Sequence, residues 1–304
     1  MGPENGRNLS YISYFPIDEY VNKIKLTDYV LEHMEETCKV FDSYFKQLSQ
    51  YDPYAITFYL MEQQKKEINY SNRIEKHHIE TSVLLENDLF FNNYQISHSR
   101  IKRIHQLITG SSELIDYRTG EVRVSRMTDR GEDIFWRGVN LEDLKKFMDD
   151  YIKFYKTNSV SLINSNPFLK SALAHLIFVR IHPFSDGNGR TARVIHNIKF
   201  TESINKIYGL NLKLCPLNLS QSILLNQPTY AKRINDIYFD LEHDCNEEIN
   251  KWFDFILNVV DEQLYSKASL LRDIDKALKK VTEMQHTDTS ILPEYARKMN
   301  IKTK

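Results

Sequence analysis

His182, Asp186, Gly187, Asn188, Gly189, Arg190 and Arg193 all fall in one short stretch, IHPFSDGNGRTARV, which runs from Ile181 to Val194. The chain has only 9 glycines, and two of them sit here one residue apart. If a helix begins within this stretch, its first amides have no internal acceptor. They also carry the positive end of the helix dipole. Glycine at 187 and 189 lets a phosphate approach that backbone with no side chain in the way. Arg190 and Arg193 are three apart, so both reach from one helix face toward the same anion. Asp186 is a hard oxygen ligand of the kind that holds Mg²⁺ against phosphates. His182 enters the loop just ahead of these groups. Near a helix N-terminus the imidazolium form is disfavoured, which favours a neutral base. Such a base can take a proton from an incoming hydroxyl beside a bound phosphoanhydride. The residues by themselves point to phosphoryl or nucleotidyl transfer, with His182 as base and the cradle stabilising developing charge.

Gly187, Gly189 and Ala192 also satisfy a dinucleotide fingerprint, but that motif needs a preceding strand and an acidic residue about twenty positions on. The preceding segment is helical in pattern, and 207–210 read Ile-Tyr-Gly-Leu. No Walker, H-E-x-x-H or G-x-S-x-G pattern is present.

The elements around the stretch follow from periodicity. NPFLKSALAHLIFVRI (166–181) predicts a helix, with Asn166 as cap and Pro167 at the first helical position. A second helix is predicted from near Gly189 past Phe200, with further helices at 218–241 and 247–265. Residues 17–65 read as helices, broken at SQYDPYA, and helical pattern resumes over about 72–108. Residues 117–136 alternate with period two around Val122 and Val124, which predicts a small hairpin with a second strand near Asp133–Trp136. A formal net charge of -1 gives no global pull toward nucleic acid or an anionic membrane. Three widely spaced cysteines and the absence of an apolar span lead us to expect a cytoplasmic protein that binds neither. The basic excess of the last forty residues reads as a solvated tail.

HPFSDGNGRTAR resembles the signature of the Fic (Fido) family, H-x-F-x-[D/E]-G-N-G-R-x-x-R, at every fixed position from His182 to Arg193. The resemblance extends over roughly 70–265. It implies a mainly α fold, a helical bundle with a small β-hairpin flap. It also implies AMP transfer from ATP, with Mg²⁺ as cofactor, to Ser, Thr or Tyr hydroxyls of a target protein, automodification included. His182 would be the base and Asp186 the metal ligand. Gly187, Asn188 and Gly189 would form the anion hole, with Arg190 and Thr191 in the nucleotide site. Arg193 would pair with the γ-phosphate, and Phe184 would anchor the loop. Tyr230 is placed at the adenine by position. Val122, Arg123, Val124 and Ser125 would offer a flap edge to an extended target segment.

Family members often carry an inhibitory helix of pattern [S/T]-x-x-x-E-[G/N]. SVLLEN supplies it at Ser82, Glu86 and Asn87, and Glu86 is expected to pair with Arg193. The expected organisation is an N-terminal helical region (1–68), a catalytic domain (69–265) and a helical tail (266–304). The domain would contain the inhibitory helix at about 80–90 and the flap at about 117–136. Removal of AMP, use of another donor such as UTP, GTP or CDP-choline, and a catalytically silent binding module are the alternatives. The target and a homodimeric state are left open.

Overall fold

A computed structural model describes residues 10–48, 50–51, 53–76, 95–128, 131–157, 161–265, 276 and 279. The described helices are α1 (Ile17–Lys23), α2 (Asp28–Leu48), α3 (Pro53–Ile74) and α4 (His98–Thr109). After a hairpin of β1 (Arg123–Thr128) and β2 (Gly131–Arg137) come α5 (Leu144–Lys156), α6 (Leu162–Ser165), α7 (Pro167–Ile181) and α8 (Asn188–Tyr208). The series closes with α9 (Leu219–Leu225), α10 (Gln227–Asp236) and α11 (Asn246–Tyr265).

The fold is mainly α and is organised around α7. Asn166 caps this helix by accepting from the amides of Phe168 and Leu169, at 2.9 and 3.1 Å, and Pro167 opens it. Apolar residues occur all round α7 rather than on one stripe, the pattern of a helix with no solvent face. All of its residues are buried accordingly, with α5, α6, α8 and α11 packed about it. Side chains from two neighbours also bond its carbonyls. Tyr151 donates to Ala174 and Trp252 to Ala172, both at 3.0 Å. The helix is therefore held from several sides, and it leads directly into His182.

The hairpin is antiparallel, with Val124 opposite Trp136 and Ser125 opposite Ile134, so a bulge lies between the two pairs. Both strands are longer than the expected Val122–Ser125 and Asp133–Trp136. The N-terminal segment runs beside the hairpin's exit: the Ile12 amide donates to Gly138 and the Asn140 amide to Ile12.

Two expectations change. The helix predicted over 218–241 is two helices, α9 and α10, with Ile237–Cys245 non-helical. The break falls at Asn226–Gln227 because Pro228 lacks an amide hydrogen and disfavours helix in the residue before it. Helix α3 does not stop near 65 but continues to Ile74, and so runs through the expected boundary at 68/69. Ser82, Glu86 and Asn87, with the inhibitory helix expected at about 80–90, lie outside the described residues, as does most of the 266–304 tail. Among the described residues, no helix is long and apolar enough to cross a membrane.

Candidate active site

His182 terminates α7 in the left-handed conformation, with φ 55° and ψ 60°. Few non-glycine residues adopt it, though histidine is among the more tolerant. Its Nδ1 lies 3.1 Å from the Val179 carbonyl. A carbonyl only accepts, so Nδ1 carries the proton and a neutral ring keeps its lone pair on Nε2. Burial pushes the imidazole down to about 4, and the neighbouring Arg118 and Arg180 add to the depression. The ring meets the edge of Trp136 at 5.3 Å, and Trp136 is fixed by donating to Asn235 at 3.0 Å.

Arg118 anchors the backbone here. Its Nε donates to the His182 carbonyl at 2.9 Å, one terminal nitrogen to Gly120 at 2.9 Å, and the other to Val139. Its own amide donates to Pro183 at 2.8 Å. One buried cation thus ties the root of the flap to the start of the loop. Gly138 suits the close packing at this junction, since a Cβ there would lie 3.0 Å from Val122 and 3.3 Å from the His182 Cβ.

The loop itself is shaped from below. Phe184 is buried and stacks on His105 at 3.7 Å between ring centres. His105 Nε2 donates to the Asp186 carbonyl at 2.9 Å, and burial keeps that imidazole below its ordinary range and neutral. The Asn188 side chain spans the loop, accepting from the Phe184 amide at 2.9 Å and donating to the Phe184 carbonyl at 2.8 Å. Gly187 then caps α8 with φ 73°, and a Cβ there would crowd Thr109 at 2.9 Å. Thr191 is fully buried, and its hydroxyl donates to the Gly187 carbonyl at 2.8 Å.

The start of α8 already faces an anion, the carboxylate of Glu75 just beyond the end of α3. One oxygen lies 2.8 Å from Arg193, and the other lies 2.9 Å from Arg190 Nε. A Cβ on Gly189 would collide with this carboxylate. Arg193 also donates to the Ser71 hydroxyl at 2.7 Å and the Ser71 carbonyl at 3.0 Å. Arg190 adds a bond to the Ile108 carbonyl at 3.0 Å. The expected partner of Arg193 was Glu86, whereas the carboxylate found there belongs to Glu75. Ser71 and Glu75 repeat the Ser–Glu spacing, but Lys76 stands where the pattern has Gly or Asn. Lys76 has φ 57°, the conformation that Gly and Asn take most readily.

Asp186 is 70% exposed and lies 3.4 Å from Arg190. Among the described residues, no group of three or more His, Cys, Asp or Glu could hold a metal ion. A single exposed carboxylate fits Mg²⁺, which keeps several waters and is commonly bound through one or two carboxylates plus substrate phosphates. Tyr230, expected at the adenine, is buried instead between Arg193, to which it is hydrogen-bonded, and His175 at 2.8 Å.

The sequence therefore located the loop and its charged residues but missed Arg118, His105, Trp136, Ser71 and Glu75. Of these only the Ser71–Glu75 spacing left a readable signal.

Residues 95–198 match the Fic/DOC family. The protein adenylyltransferase fic-1 of Caenorhabditis elegans is 32% identical over 107 residues, 34% of this chain and 19% of that protein. The protein adenylyltransferase Fic of Nematostella vectensis is 41% identical over 56 residues, 18% of this chain and 13% of that protein. The chain thus spans well under a fifth to about a fifth of the length of these relatives. A Fic family protein from Desulfovibrio desulfuricans G20 superposes with a TM-score of 0.61 at 16% identity, over 84% of this chain and 77% of that one. The likeness extends the shared fold well beyond the matched stretch. The stretch that holds the loop, the hairpin and the central helix is thus the part of this chain that is similar to the Fic/DOC family.

Proposed function

We propose that the chain is a protein adenylyltransferase held in an inhibited state by Glu75. One observation carries the reading: a carboxylate lies over Gly189, between Arg190 and Arg193, at the start of a helix. That is a site for an anion, and the protein fills it with its own. When the triphosphate of ATP takes this place, His182 Nε2 removes the proton of a target hydroxyl. The hydroxyl oxygen bonds to the α-phosphorus, the bond to the bridging oxygen breaks, and pyrophosphate leaves. Arg190 and the first amides of α8 receive the phosphate charge, and Arg193 receives the γ-phosphate. Asp186 would hold Mg²⁺ together with those phosphates, where the ion neutralises charge on the nucleotide. Glu75 opposes all this by occupying Arg193, so the phosphates cannot reach the geometry needed for attack.

The test is intact-mass analysis of the purified protein after incubation with ATP and Mg²⁺. Wild type should gain little and Glu75→Gly should gain AMP. Adding His182→Ala to Glu75→Gly should abolish the gain. UTP, GTP and CDP-choline run in parallel identify the donor. No adduct from any donor with Glu75→Gly would overturn the reading.

A further inference from the structure

Glu67 and Ser71 on α3, and Glu75 just beyond its end, are spaced by four and so lie on one side of the helix. Facing them on α8, in the opposite chain direction, are Asn197, Arg193 and the Gly189–Arg190 pair. The three rungs are all made. Asn197 donates to Glu67 at 3.0 Å, Arg193 to Ser71 at 2.7 Å, and Arg193 and Arg190 to Glu75. Only the last rung belongs to the anion site.

The first rung is buried. The Glu67 carboxylate also accepts from the Ser220 amide at 2.8 Å and the Ser220 hydroxyl at 2.6 Å, at the start of α9. At the C-terminal end of α3, Gln227 donates to the carbonyl of Ile74 at 2.9 Å. The last carbonyls of a helix have no internal partner. Here one of them is satisfied from α10, next to Glu75. The α9–α10 segment therefore grips α3 twice, once at Glu67 and once at the residue before Glu75.

Position along a helix is steep in its effect. A one-residue slip moves a side chain about 1.5 Å along the axis and about 100° around it, enough to break a contact of hydrogen-bond length. We propose that Glu67 and Gln227 are positioning residues of the inhibition: they fix the rotation and the end of α3 so that the Glu75 carboxylate reaches Gly189 and Arg193. The inference rests on reading Glu75 as the inhibitor. It adds that inhibition is set by the grip of α9–α10 on α3, remote from the nucleotide.

The experiment compares automodification rates of Glu67→Gln and Gln227→Ala, each with Glu75 intact and in the Glu75→Gly background. Glu67→Gln keeps the size but turns an amide donor toward the Ser220 donors. Gln227→Ala is a half-buried truncation that leaves the core untouched, so it carries the test if Glu67→Gln fails to fold. Each is expected to raise the rate about threefold to tenfold with Glu75 intact, the range of a lost hydrogen bond. Neither should change it in the Glu75→Gly background. A merely structural role would lower both rates or neither. If Glu75→Gly is active while both single changes leave inhibition intact, the grip is wrong and the inhibitory reading stands. If Glu75→Gly is no more active than wild type, the inhibitory reading fails and takes this inference with it.

Discussion

The Glu75 carboxylate lies 2.8 Å from the Arg193 guanidinium, with Arg193 3% exposed and Glu75 24% exposed. A pair this sheltered from water depends on both charge and reach. Glu75→Gln keeps the reach and removes the charge, and it leaves Arg193 a buried cation without its anion. We expect an automodification rate at least tenfold above wild type, equivalent to about 1.4 kcal/mol. Glu75→Asp, one methylene shorter, should fall between wild type and Glu75→Gln. Radiolabelled ATP incorporation measures both, and equal rates for all three proteins would show that the pair does not restrain the site.

Lys76 follows Glu75 in the left-handed region, at φ 57°. A side chain there costs roughly 1–2 kcal/mol that glycine does not. Lys76→Gly should therefore tighten the turn that delivers Glu75, lowering basal automodification and raising Tm by about 2 °C in a domain of this size. A rise in basal activity would mean that the strained turn favours inhibition rather than opposing it.

His182 is pushed down to about 4 by burial. Its neutral, proton-accepting form therefore predominates at every pH above that value. The kcat/KM of Glu75→Gly should rise with pH through about 4 and stay flat across 6.5, where an ordinary histidine would titrate. A step centred near 6.5 in the pH profile would place this imidazole in a more open environment than its contacts imply.

Burial also pushes His196 down to about 3 and His175 well below its ordinary range. In the unfolded chain each titrates near 6.5, so between these values the unfolded state binds more protons. The stability they contribute is fully present above about 6.5 and is lost as pH falls toward the folded values. Each group costs on the order of 1.4 kcal/mol per pH unit across that window. Denaturant midpoints should fall steadily from pH 6.5 to pH 5, and His196→Asn should flatten that slope.

Tyr230 joins Arg193 to His175 through its hydroxyl. Tyr230→Phe keeps the ring in the core and removes the link. In the Glu75→Gly background it should raise the KM for ATP about fivefold, in line with one lost hydrogen bond of about 1 kcal/mol, while circular dichroism stays unchanged. An unchanged KM would assign the tyrosine to packing alone.

What could be read in advance depended on whether a residue's role is local in sequence. Asn166, Pro167 and the apolar run to Ile181 specify the central helix by themselves, and the loop from His182 to Arg193 holds its chemistry in consecutive positions. The hairpin was legible from alternation at Val122 and Val124. Arg118 was not, because nothing marks one arginine among many until its carbonyl partners at His182 and Val139 are brought together by the fold. His105 was hidden the same way, as its stacking partner Phe184 comes from a distant loop. Glu75 was hidden for a different reason. The spacing from Ser71 was present, but Lys76 occupies a left-handed position where glycine or asparagine would have announced a turn.

The order of residues along the chain has a consequence for synthesis. Glu75 precedes Gly189, Arg190 and Arg193 in the chain, so the carboxylate is synthesised before the groups it meets. A newly born molecule therefore never presents these two arginines before the carboxylate that pairs with them has been made.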